Sequence, residues 1–102
     1  MHMSNYKTLF HFEKPWFVSD LTTSKTSERA ELNLWFQVES GHESKSIELE
    51  GLDDLDLVSS ILQAEKVVVS EEVNSQIDFG TIRVECWIDN CYSEFWCNKA
   101  EF

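Results

Sequence analysis

The chain is poor in the residues that most often carry chemistry, with one proline, three glycines, three cysteines and three histidines. Gly41, Gly51 and Gly80 stand far apart, so no glycine-rich loop can wrap its N–H groups around a phosphate. His2, His11 and His42 have no metal-ligand spacing to one another or to a cysteine pair, and Cys86, Cys91 and Cys97 lack the paired spacing of a zinc ribbon. A nucleophilic thiol needs a histidine or a helix start beside it to lower its pKa, and the sequence places neither. No metal, no cofactor and no catalytic group is therefore expected, and the chain reads as a binding protein rather than an enzyme. No run approaches the roughly 18 apolar residues of a membrane span, and the start lacks the basic-then-apolar order of a signal peptide. An odd number of cysteines without that signal points to the cytoplasm, with reduced thiols acting as small apolar side chains. Met1-His2-Met3 is given no structural weight.

Basic residues are also scarce. Eight lysines and arginines face nineteen acids, for a formal charge of −11 and a pI near 4.5. Such a field repels nucleic-acid phosphates and anionic lipid and attracts basic protein surfaces. A direct nucleic-acid or membrane partner is disfavoured. What the chain does have is apolar mass: 42% hydrophobic and 13% aromatic residues, four of them tryptophan, over 102 residues. That describes one folded domain, 1–102, with a single core.

Tyr6 to Phe12 reads as a strand broken by Glu13-Lys14-Pro15, and Trp16-Phe17-Val18 as a short apolar run that starts a second. Ser19 to Arg29 is polar and without apolar period, which predicts a loop. Ala30 to Glu39 alternates cleanly, with Ala30, Leu32, Leu34, Phe36 and Val38 on one side and Glu31, Asn33, Trp35, Gln37 and Glu39 on the other. Ser40 to Ser44 is turn chemistry, and Ser46 to Glu50 returns. One helix follows, with Asp53 as N-cap, Asp54 and Asp56 in its first turn and Lys66 near its end. Leu55, Val58, Ser59 and Leu62 form its apolar stripe, widened by Leu57 and Ile61. Lys66 to Ser70 is β-branched and reads as a strand, Gln76 to Phe79 pairs back on it, and Gly80 marks a bulge. The order β, β, β, β, α, β, β, β, β predicts an α+β fold, a mostly antiparallel sheet of seven to eight strands with the helix on one face.

The stretch Ile82 to Cys97 organises the rest. Asp89-Asn90 tolerates the positive φ of a tight turn, which sets Ile88 opposite Cys91, Trp87 opposite Tyr92, Val84 opposite Phe95 and Arg83 opposite Trp96. Ile82, Val84, Cys86, Ile88, Cys91, Ser93, Phe95 and Cys97 then share a core face, covered by the helix. Arg83, Glu85, Trp87, Tyr92, Glu94 and Trp96 share the other. Glu85 and Glu94 fall opposite each other, a like-charge pair that needs a cation nearby, for which Arg83 stacked on Trp96 is the candidate. Trp35, Glu85, Trp87, Tyr92, Glu94 and Trp96 are the candidate partner-binding residues, because aromatic anchors dominate binding energy while acids steer a basic partner. Asp53, Asp54 and Asp56 rank below them, since capping already explains those acids. The competing reading folds the Trp16 segment or the first strand over these aromatics as a second small core.

In overall character the chain resembles the small acidic immunity proteins of contact-dependent growth inhibition and related polymorphic toxin systems. The resemblance lies in size, acidity, the sheet with one helix and the aromatic-acidic face, not in a motif, so no residue role is carried over. It implies binding and neutralisation of a cognate basic toxin, often a nuclease, inside the producing cell. Two other classes fit the same residues: a structural or adaptor subunit whose aromatic face is an obligate interface, and a small hydrolase or isomerase with a paired-carboxylate site.

Overall fold

A computed structural model of the chain describes residues 6–25, 31–52, 54–72 and 82–102. Over these residues it has eight strands and one helix: β1 (Tyr6–Glu13), β2 (Phe17–Lys25), β3 (Leu32–Ser40), β4 (Glu43–Leu52), α1 (Asp56–Gln63), β5 (Lys66–Glu72), β6 (Ile82–Ile88), β7 (Cys91–Cys97) and β8 (Lys99–Glu101). The α+β class holds, with every strand pairing antiparallel. The strands divide into two sheets of four, ordered β1-β5-β6-β7 and β2-β3-β4-β8.

Alternation decides how the sheets meet. Phe10 and Phe12 on β1, Val67 and Val69 on β5, Val84 and Cys86 on β6 and Phe95 on β7 are buried on one face of the first sheet. Leu34, Phe36, Val38, Ile47 and Leu49 are buried on one face of the second, and all belong to one core. The two inner faces therefore close on each other as a sandwich, each burying every second side chain. The second sheet thus shares with the helix the task of covering the Ile82–Cys97 hairpin. α1 lies against β6 and fills part of the core with Leu57 and Ile61, which are fully buried.

The helix turns a different side inward from the expected one. Leu57 and Ile61, four residues apart, face the core, while Leu55 and Leu62 are 69% and 55% exposed. The helix is apolar over so much of its surface that periodicity alone leaves two stripes open. Its start is held by Asp54, whose Oδ1 accepts the Asp56 N–H at 2.9 Å in place of a side-chain bond from the N-cap residue Leu55. Asp53 lies outside the described residues, as do Ala30, the Gln76–Phe79 strand and Gly80.

The polar segment Ser19–Lys25 is strand, not loop. It belongs to β2, paired along β3 from Phe17↔Glu39 to Lys25↔Leu32. An edge strand buries little on either side, so Val18 and Leu21 facing the core suffice and the apolar period is lost among Ser and Thr. β8 has no signal of its own either; three residues pair with β4 because β7 delivers them there.

That delivery depends on Gly51. The chain leaves the first sheet at Cys97 and enters the second at Lys99, and between them the Asn98 N–H bonds to the Glu50 carbonyl at 2.9 Å. Gly51 is the extra residue of a bulge opposite Leu32 and Asn33, with φ of 79°, and a Cβ there would overlap the Asn98 side chain. Gly41, with φ of 61°, sits in the open two-residue turn between β3 and β4, where an added carbon meets nothing within 4 Å. Gly51→Ala is expected to cost about 2–3 kcal/mol from left-handed strain and overlap together, and Gly41→Ala only about 1 kcal/mol from strain. Urea denaturation of the two variants checks this; equal losses would remove the corner at Asn98 as a fixed point of the fold.

Candidate functional site

The hairpin register is the expected one, from Ile82↔Cys97 through Glu85↔Glu94 to Ile88↔Cys91, with Asp89 at φ of 47° in the turn. Val84, Cys86, Phe95 and Cys97 are buried on its inner face. Cys91 is the exception on that side: it is exposed, next to the turn. The three thiols are free, and burial pushes those of Cys86 and Cys97 up to about 12, so both stay protonated and apolar at neutral pH.

On the outer face, the β6 and β7 sides differ. The β6 residues are half-buried: Arg83 Nη2 lies 3.1 Å from Glu85 Oε1, with side chains only 22% and 15% exposed. Trp87 is held between the Tyr92 ring, at 5.1 Å between centroids, and the Lys66 ammonium, 5.1 Å from its ring. It also walls a shallow cleft of about 400 Å³ with Glu13, Lys14, Glu65 and Lys66. The β7 residues Tyr92, Glu94 and Trp96 are exposed.

The Tyr92 hydroxyl links the two sides. It lies 2.7 Å from Glu85 Oε2 and 2.8 Å from Glu94 Oε2, and with one proton to give it donates to one carboxylate at a time. The phenol is pushed above its ordinary range, by desolvation first and by the bonds and charge of the two carboxylates second. It therefore remains a donor at any physiological pH. The cation beside this acid pair is Arg83, stacked over the Tyr6 ring at 3.7 Å and not over Trp96. Tyr6 in turn packs on Trp96 at 6.2 Å. The first strand thus covers one end of the aromatic row, whereas Trp16 packs elsewhere, against the core and beneath Lys45.

Trp35 does not join this surface. It projects from β3 on the outer face of the second sheet, the opposite side of the sandwich, beside Ser46, Glu48, Glu101 and Phe102. The expected grouping assumed one sheet, and splitting the strands into two separates Trp35 from the hairpin. Asp54 and Asp56 are exposed at the helix start, with Asp54 engaged as its cap. Tyr6, Lys66 and Arg83 are the supports that sequence reasoning either left out or placed otherwise. Their positions follow from β1–β5 and β5–β6 pairings between distant segments, for which a local pattern gives no signal.

Among the described residues, Glu48, Glu50 and Glu101 form the cluster with the donor chemistry for a hard cation, their carboxylates within 4.8 Å of one another. Lys99 already sits among them, 2.6 Å from Glu101 Oε1 and 3.9 Å from Glu50 Oε2. Its pKa is raised chiefly by the Glu101 hydrogen bond, so an ammonium supplies the charge there.

Removing the Tyr92 hydroxyl leaves Glu85 and Glu94 facing each other without their shared donor. Tyr92→Phe is expected to cost about 1 kcal/mol at pH 7, at the lower end for a bond to a charged group because the site is half-exposed. The loss should shrink above about pH 10, where the phenol of the unfolded chain ionises while the folded one, its pKa raised, stays neutral. Denaturant unfolding at the two pH values measures it, and a loss independent of pH would show that the hydroxyl does not serve the carboxylates.

Comparison of the chain with models of known protein families, with curated proteins and with solved structures finds no match.

Proposed function

We propose that this chain is an immunity-type inhibitor, which binds and neutralises a basic toxin domain, a nuclease being the simplest case, in the cytoplasm of the cell that makes it. The observation that carries this reading is the outer side of β7. Tyr92 and Trp96 stand 48% and 37% exposed around Glu94, on a chain of charge −11. Among the described residues Glu94 bonds to the Tyr92 hydroxyl and has no ion pair, while Glu85 behind it has Arg83. Two aromatic anchors around an acid that lacks a cation suit a partner rich in lysine and arginine.

A toxin nuclease must hold phosphates with lysine and arginine, and an acidic protein seated on those residues blocks the substrate by charge and by bulk. The inhibitor needs no reaction of its own. Glu85 and Trp87 act in this reading as supports that fix Tyr92 and Glu94 rather than as anchors, because they are already packed. No helix among the described residues is long and apolar enough to cross a membrane.

The product of the neighbouring gene is the partner to test first. Trp96→Ala is expected to weaken the complex by about 2 kcal/mol, roughly thirtyfold. Glu94→Lys is expected mainly to slow association, with a loss that diminishes as salt rises. Surface-immobilised binding kinetics separates the two effects. Wild-type kinetics in both variants would place the binding surface elsewhere on the molecule.

A further inference from the structure

Among the described residues each sheet has two edge strands, and an edge offers unpaired N–H and C=O groups that invite another strand. Three of the four edges carry a feature that discourages such pairing. β1 has a register break between Thr8 and Phe10 and carries Lys7. β2 has one between Val18 and Asp20 and ends on Lys25. β8 is three residues long and includes Lys99. β7 has none of these: its register with β6 is unbroken, and it contains no proline, lysine or arginine.

The turn determines which backbone groups of β7 are open. A two-residue hairpin turn makes its flanking residues, Ile88 and Cys91, a hydrogen-bonded pair. Pairs of this kind alternate with pairs whose N–H and C=O groups turn away from each other. Ser93, Phe95 and Cys97 therefore bond inward to β6, while Tyr92, Glu94 and Trp96 direct their backbone groups to the edge that no described strand pairs. These three are also the residues whose side chains stand on the outer face. Backbone and side chain are presented together at the same three positions.

We infer that β7 is a docking edge, to which an extended segment of a basic partner adds as a fifth strand of the first sheet. The segment sets a lysine or arginine beside Glu94 and apolar side chains beside Tyr92 and Trp96. This rests on the binding reading above and states how the partner is held. Backbone pairing would supply affinity, and the alternating side chains choice of sequence. Charge selects the occupant. A second copy of this chain, to use all three open positions, must pair antiparallel about its own Glu94. That sets two carboxylates side by side on molecules that each carry −11. A cationic strand instead brings the charge that Glu94 lacks.

The probe is a capped heptapeptide with lysine at its centre, valine two places to either side and threonine elsewhere. Its control is the same peptide methylated on the lysine and valine nitrogens, which removes those donors. In the free protein, amide exchange by NMR should be fast at Tyr92, Glu94 and Trp96 and slow at Ser93 and Phe95. Millimolar peptide should slow the three open amides at least tenfold, the methylated control should not, and Glu94→Lys should weaken the peptide about tenfold. Three outcomes overturn the inference: open amides that stay fast with peptide, equal binding by the methylated control, or protection that grows with protein concentration alone. The last identifies a second copy as the occupant. Equal binding by the control that still shifts the Tyr92 and Trp96 rings leaves the outer face as a binding surface and removes only the edge. Conversely, peptide pairing without capture of the neighbouring gene's product keeps the edge and removes the inhibitor reading.

Discussion

Phe36 stands edge-on to both Phe10 and Phe12, at centroid distances of 6.0 and 6.3 Å, and this is where the two sheets meet. Everything else in the molecule depends on that closure. A lone sheet with one eight-residue helix cannot bury the apolar face of eight strands, because α1 contributes only Leu57 and Ile61 as fully buried side chains. The second sheet supplies the missing cover. Aromatic rings in edge-to-face contact add about 0.5–1.5 kcal/mol beyond their buried area, and their shape fixes which strands face each other. Once the inner faces are committed, strict alternation sends every other side chain outward, and the outer surfaces become free to carry charge.

The two outer surfaces use that freedom differently. On the second sheet, acids gather around Lys99, which pairs with Glu50 and Glu101 and offsets part of their charge. On the first, charge and aromatic rings form one connected row, from Lys66 through Trp87, Tyr92 and the two glutamates to Arg83, Tyr6 and Trp96. Each member of the row restrains its neighbour. Side chains already held in place lose less entropy on binding, so a partner meets a surface that is largely organised in advance. The row is unevenly exposed: covered at Arg83 and Glu85, open along β7.

Much of this was legible in the sequence where the pattern is local. Asp89-Asn90 sets the turn, and the turn sets every pair of the Ile82–Cys97 hairpin. Leu34, Phe36 and Val38 alternate inward as their spacing requires. The misreadings share one cause, which is that edges and sheet boundaries are decided by distant partners. β2 looks like a loop because an edge strand has little to bury, and only its pairing with β3 makes it a strand. Trp35 looks like a neighbour of the hairpin tryptophans until the strands divide between two sheets. Leu55 and Leu62 look like core because the helix is apolar on more than one side, and the way it seats on β6 selects Leu57 and Ile61 instead. Gly51 is unremarkable as a letter, and its role appears only when Asn98, from the far end of the chain, arrives against it.

The central claim is a division of labour across one strand: the inner face of β7 holds the fold, and its outer face is spare. Adjacent residues test it, since Phe95 is 9% exposed and Trp96 37%. Unfolding free energies of Phe95→Ala and Trp96→Ala, compared under the same conditions, are the direct measurement. Phe95→Ala should lose about 3–5 kcal/mol, as for a buried aromatic. Trp96→Ala should lose less than about 1 kcal/mol, the worth of its cross-strand packing and contact with Tyr6. Comparable large losses at both positions would contradict it, because the outer aromatics would then be a second core and not a surface.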